Sequence, residues 1–191
     1  SLGSSDNMFI GHTAGGGTWA DAASNGNVGI GNYTMDSALD GALGNVSLGH
    51  YAVSSLTTGD YNIGIGSNAG LSITTGANNI ILGRLAGDTM TATSNTVIIG
   101  FEAGQAINAT GANGTVAIGY QASYALTSGA NQVSIGYQAG MALTTAANST
   151  FIGYQAGLEH TGGNNVAIGD RAFFSTNAGS NSLASTKNVA I

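Results

Sequence analysis

A short phrase recurs along this chain, and its spacing constrains the fold more than any other feature. It is a mostly aliphatic triplet closed by glycine: Met8-Phe9-Ile10-Gly11, Val28-Gly29-Ile30-Gly31, Val46-Ser47-Leu48-Gly49, Ile63-Gly64-Ile65-Gly66 and Ile80-Ile81-Leu82-Gly83. It continues as Val97-Ile98-Ile99-Gly100, Val116-Ala117-Ile118-Gly119, Val133-Ser134-Ile135-Gly136, Thr150-Phe151-Ile152-Gly153 and Val166-Ala167-Ile168-Gly169. A last copy, Val189-Ala190-Ile191, stands at the C-terminus. The closing glycines fall at 11, 31, 49, 66, 83, 100, 119, 136, 153 and 169, so successive spacings are 20, 18, 17, 17, 17, 19, 17, 17 and 16 residues. Self-similarity at a nearly fixed period means one small unit stacked on its neighbours.

Each unit has a second half. After the glycine come two variable residues and then a small one: Ala14, Ala52, Ala69, Ala86, Ala103, Ala122, Ala139, Ala156 or Ala172. Alternate positions are then apolar, as in Ala69-Leu71-Ile73, Ala122-Tyr124-Leu126 and Ala139-Met141-Leu143. Period-two alternation predicts a second strand with one buried face. A polar turn such as Thr74-Thr75-Gly76-Ala77-Asn78-Asn79 closes the unit. Two short strands leave no room for a helix. The expected fold is all-β: a parallel β-solenoid, or β-roll, of about ten coils with roughly 17-residue repeats. The chain reads as one domain, with irregular longer units over 1–44, regular repeats over 45–169 and an irregular last unit over 170–191. It starts and stops within repeats, so an excerpt of a longer fibre is expected.

Asn27, Asn45, Asn62, Asn79, Asn165 and Asn188 precede the triplet. Stacked about 4.8 Å apart, their amides would form a hydrogen-bonded ladder. Asn also tolerates the left-handed backbone of a tight corner, and the closing Gly serves the opposite corner. The middle residue of the triplet is Phe, Gly, Ser, Ile or Ala and never charged. Both faces of that strand are therefore expected to be covered, with Val and Ile inside the coil and the middle residue against a partner. The expected partner is the chain itself, as a homotrimer before a dimer.

The phrases Asn165-Val166-Ala167-Ile168-Gly169 and Val116-Ala117-Ile118-Gly119-Tyr120-Gln121-Ala122 resemble the head repeats of trimeric autotransporter adhesins and the repeat tracts of phage tail-fibre proteins. The likeness runs from about Asp6 to Ile191. It implies a trimeric β-roll on an extracellular, cell-surface or virion fibre that attaches to cells or glycans. The unit here is longer than in the adhesin heads.

Composition narrows the functions. The 191 residues carry 3 Lys or Arg against 9 Asp or Glu, a net charge of −6. No basic patch exists for nucleic acid or an anionic membrane surface. Without Cys there are no disulfides or thiolate metal sites. No apolar run reaches the roughly 18 residues of a membrane span, so no insertion is expected in this segment. No catalytic, cofactor or metal residues emerge, and the chain is expected not to be an enzyme. Gly64-Ile65-Gly66-Ser67-Asn68-Ala69-Gly70 lacks the lysine of a phosphate loop. Asp21, Asp36 and Asp40 follow no calcium-loop spacing. His12 and His50 share a repeat position that His160 does not.

One surface feature invites a binding reading. Phe101, Tyr120, Tyr137 and Tyr154 follow the closing glycine in four consecutive units, with Gln121, Gln138 and Gln155 beside the last three. Stacking would align them as a stripe of rings and amides, the combination that suits a cell-surface glycan. The same ladder would also stabilise itself. Two further readings share the fold. Open solenoid ends would let copies stack into a filament, and Thr57-Thr58, Thr74-Thr75 and Thr144-Thr145 resemble fragments of an ice-binding threonine array.

Overall fold

In the computed structural model, residues 4–18, 22–108, 110–174 and 186–191 are described. Each triplet forms a strand: β1 (Met8–Ile10), β2 (Val28–Ile30), β3 (Val46–Leu48), β4 (Ile63–Ile65), β5 (Ile80–Leu82), β6 (Val97–Ile99), β7 (Val116–Ile118), β8 (Val133–Ile135), β9 (Thr150–Ile152), β10 (Val166–Ile168) and β11 (Val189–Ala190). They pair in parallel, in chain order, as one 11-stranded sheet. Register follows the sequence phase: Val46 lies beside Ile63, Ser47 beside Gly64 and Leu48 beside Ile65. The chain is the expected parallel β-solenoid with a repeat near 17 residues. Extra residues of longer units fall between the strands; the 19-residue unit between Gly100 and Gly119 carries a 3-10 turn at Thr110–Ala112. Among the described residues no helix is long and apolar enough to cross a membrane.

Among the described residues the expected second strand is not formed. The stretch after each corner glycine is a succession of turns, because left-handed residues recur two and four positions beyond it. Gln121 (φ 51°) and Ser123 (φ 50°) follow Gly119, and Gln138 (φ 54°) and Gly140 (φ 58°) follow Gly136. Left-handed residues cannot continue an extended ladder. Alternate amides still bond the adjoining coil, as from Gly70 N–H to Ala86 O (2.9 Å) and Ser72 N–H to Asp88 O (3.0 Å). The local turn closes from Ile73 N–H to Gly70 O at 3.1 Å.

The strand's facing is the reverse of the expectation. The middle residue points into the coil: Ile81, Ile98, Ala117, Phe151 and Ala167 are fully buried. The flanking Val and Ile point outward. Small middle residues are explained by what stands across the thin coil, the residue four beyond the corner glycine. Phe9 faces Gly15 and Phe151 faces Gly157, where an added Cβ would sit 2.7 Å from the ring in each case. Where the strand carries Gly29 or Ala167, the six-residue-distant partner is Met35 or Phe173. In these coils one large and one small side chain fill the interior at close-packed density, whereas Gly64 with Gly70, Ala117 with Ser123 and Ser134 with Gly140 pair two small residues. Leu56, Ile73, Met90, Ile107, Leu126, Leu143 and His160 form a further inward column. His160 is its last described member, buried, stacked on Phe173 at 5.2 Å and bonded through Nε2 to Asn165 Nδ2 at 2.7 Å.

The asparagine ladder is present and buried. Asn62 Nδ2 donates to Asn45 Oδ1 (3.1 Å) and to Gly76 O (2.8 Å), while its own Oδ1 accepts from Asn79 Nδ2 at 2.9 Å. Thr96, Thr115, Gln132 and Ser149 occupy the column where Asn is missing, and Thr96 Oγ1 donates to Asn79 Oδ1 at 2.7 Å. The left-handed corner residue is one position earlier than expected, at Asn78, Asn95, Asn131, Asn148 and Asn164. The ladder side chain instead ties the corner to the turn across the coil. Asn62→Ala strands buried partners above and below, so it is expected to cost about 2–4 kcal/mol, one to two unsatisfied groups. Thermal unfolding followed by circular dichroism measures that loss.

Candidate functional site

The seven residues of the predicted stripe come together. A left-handed residue two beyond the corner glycine turns its side chain outward beside the ring that precedes it. Phe101, Tyr120, Tyr137 and Tyr154 stack face to face, with centroid separations of 5.7, 4.9 and 5.3 Å and interplanar angles of 12°, 12° and 17°. Arg84 covers the outer face of Phe101 (5.2 Å) and Arg171 that of Tyr154 (5.6 Å). Two of the chain's three cations therefore cap one aromatic column. Each stacked pair contributes roughly 0.5–1.5 kcal/mol beyond its area, and each exposed cation–ring contact about 0.5–1.

The amides beside the rings form a second, directional column. Arg171 Nε donates to Gln155 Oε1 at 3.4 Å, Gln155 Nε2 to Gln138 Oε1 at 2.9 Å, and Gln138 Nε2 to Gln121 Oε1 at 3.1 Å. Gln121 Nε2 then donates to the Glu102 carboxylate at 2.8 Å. A cationic donor opens the chain and an anionic acceptor closes it, the arrangement in which every bond reinforces the next. Ring faces are thus occupied by neighbours or guanidinium groups. A sugar cannot lie flat on them, and the stripe offers its ring edges and the unused half of each amide.

Beside the stripe lies a groove that the repeat pattern did not single out. Its volume is about 300 Å³, and Gln138, Met141, Ala142, Leu158 and Glu159 line it. Met141 and Leu158 occupy the same repeat position in neighbouring units, as do Ala142 and Glu159. Elsewhere the Met141 position carries residues such as Leu71, Asp88, Gln105, Tyr124 or Phe174, so Met141 and Leu158 are two adjoining apolar members of a mixed column. Gly140, just before Met141, faces Ser134 across the coil, its added Cβ lying 2.7 Å from Ser134 Oγ. The groove is therefore on the wall opposite the sheet.

Comparison with known proteins finds no matching family model, no matching curated protein and no matching solved structure. The chain's chemistry stands on its own geometry.

Other features are simpler. His12, Tyr33, His50 and Tyr51 form a second aromatic group, with Tyr33 stacked on Tyr51 at 4.7 Å. Among the described residues no group of three or more His, Asp or Glu is placed to hold a metal ion. Asp40 Oδ1 accepts the Ala22 amide at 2.8 Å as a turn bond, and Asp21 lies outside the described residues. Thr57, Thr74, Thr91 and Thr127 donate their hydroxyls to carbonyls of the next coil at 2.9–3.2 Å, which turns those protons away from solvent.

Asp88 is a perturbed acid. Burial raises its pKa above the usual 3.8, partly offset by a hydrogen bond from Gln105 and reinforced by the Glu102 charge. A raised folded-state pKa means the folded chain holds this proton more tightly than the unfolded one. The destabilisation is absent below the unfolded value and grows as pH rises through the folded one. Asp88→Asn is thus expected to raise Tm at pH 7 and to leave it unchanged below about pH 3.5. Paired melts at the two pH values check the sign.

Proposed function

We propose that this chain is a segment of a non-enzymatic extracellular or virion fibre, assembled as a homotrimer, whose rigid surface attaches to cells or glycans. The supporting observation is the outward face of the sheet. Its first column reads Met8, Val28, Val46, Ile63, Ile80, Val97, Val116, Val133, Thr150, Val166 and Val189, and its second Ile10, Ile30, Leu48, Ile65, Leu82, Ile99, Ile118, Ile135, Ile152 and Ile168. Of these, Met8, Ile10, Leu48 and Val189 are 45–70% exposed. Ten strand spacings of about 4.8 Å and three-residue strands make a face roughly 48 Å by 10 Å. That is roughly 500 Å² per copy, half the total of about 1,000 Å² that a specific interface needs. Isolated soluble chains rarely keep so long an aliphatic strip wet.

A second copy suits this strip better than a foreign partner. The strip is uncharged and repeats every coil, so an identical strip matches its length and pitch. Three copies around an axis would cover each strip and leave the turn walls outward, with the ring stripe at the corner. Surfaces rich in Asn, Thr and Gly then face the medium. Light scattering on the purified chain is expected to give three times the 18.7 kDa chain mass. A monomer at micromolar concentration would overturn the assembly.

A further inference from the structure

We propose that the groove lined by Gln138, Met141, Ala142, Leu158 and Glu159 is a binding site for a neutral oligosaccharide. The assignment deepens the attachment part of the proposed function and rests on that reading. Four observations carry it. The groove, at about 300 Å³, stands at the lower end of small-ligand sites and has room for one or two sugar rings. Its floor is aliphatic, from Met141, Ala142 and Leu158, and matches the C–H face of a pyranose. Its polar groups are an amide and a carboxylate, one on each of two adjoining coils. Every one of its lining residues is half-buried, so a ligand would be partly desolvated.

The hydrogen-bonding capacity is specific. Gln138 spends one amide hydrogen on Gln121 and accepts one bond from Gln155. It retains a second hydrogen and a second lone pair, a donor and an acceptor side by side, which suits adjacent sugar hydroxyls. The ladder also fixes the amide's orientation before a ligand arrives, which lowers the ordering cost of binding. Glu159 receives no hydrogen bond or ion pair from the described residues and supplies an acceptor for hydroxyl donors. The same carboxylate repels an anionic sugar. No lysine or arginine lines the groove to offset that, which points to uncharged saccharides. The site lies on the wall opposite the sheet, so covering the sheet does not close it.

The test is a titration of the full chain with cellotriose, chitotriose and lactose, and with trigalacturonate as the anionic comparison, followed by NMR. At least one neutral oligosaccharide is expected to move the Met141 methyl and Gln138 amide signals saturably, and trigalacturonate to move neither. Gln138→Ala and Glu159→Gln are each expected to weaken binding about tenfold or more, and Ala142→Trp, which fills the groove, to abolish it. Glu159→Gln leaves the amide ladder intact and guards against loss of fold in the first variant. No saturable shift with any neutral sugar at millimolar concentration overturns the site. So does binding that Ala142→Trp leaves unchanged. Light scattering reads the assembly separately, so a trimer that binds no sugar sinks this inference alone, and a sugar-binding monomer sinks only the assembly.

Discussion

Gly66→Ala is expected to lower Tm by roughly 5–20 °C. Gly66 has φ +130°, a region that a residue with a side chain adopts only under strain. Its added Cβ would lie 2.7 Å from the carbonyl carbon and 2.8 Å from the oxygen of Gly83 in the next coil. Both obstructing atoms are backbone, so no rotamer change gives relief. Strain of about 1–3 kcal/mol and overpacking of similar size add to about 2–6 kcal/mol, and a chain of this length loses about 2–4 °C per kcal/mol. The defect should also propagate, since each coil is held chiefly by its two neighbours. Gly169→Ala separates the two causes. It shares the backbone (φ +127°) but meets nothing within 4 Å among the described residues, so only the strain should appear. Equal losses in the two variants would show that the close approach of stacked corners contributes nothing.

The second large effect concerns the sheet face. Ile30 and Ile65 are each 37% exposed and stand two coils apart in the same outward column. A lysine at either place is tolerated in a lone chain, at up to about 1 kcal/mol for a strand position. Against another copy, each would be a buried unpaired charge costing several kcal/mol. Ile30→Lys with Ile65→Lys is therefore expected to convert the assembly to monomers, shifting the midpoint of dissociation at least 100-fold in concentration. Sedimentation velocity reads the shift, and an unchanged β circular dichroism spectrum shows that the coil survives. Retained assembly in the doubly charged chain would mean that another surface joins the copies.

Much of the backbone plan was legible because glycine spacing fixes where each strand begins. Ladders and ring columns followed, since equivalent positions in stacked coils must align. Two things were misread, each for a physical reason. Ala122-Tyr124-Leu126 alternates like a strand, yet Gln121 and Ser123 adopt left-handed backbone that nothing in their chemistry announces. The expectation of Val and Ile inside follows from the normal preference of apolar bulk for the core. Here the coil is too thin for two bulky columns, and the interior takes one large side chain opposite a small one. Several coils show that exchange at six residues: Phe9 with Gly15, Ile81 with Gly87 and Phe151 with Gly157, against Gly29 with Met35 and Ala167 with Phe173; Gly64 with Gly70, Ala117 with Ser123 and Ser134 with Gly140 do not. The groove was invisible for the opposite reason. It depends on which side chains fill two variable positions, Met141 with Leu158 and Ala142 with Glu159, and recurrence carries no signal where a position varies.

Successive strands start 16 to 23 residues apart yet stay in register, so added residues fall between the strands. The rod is thus a ruler whose graduations are the Val-x-Ile-Gly phrases and not the residues. Each new phrase advances the axis by one strand spacing, about 4.8 Å, whereas an insertion between phrases only widens a corner. Reach is then set by counting copies, and gene duplication or loss of whole units would tune it stepwise without altering the cross-section.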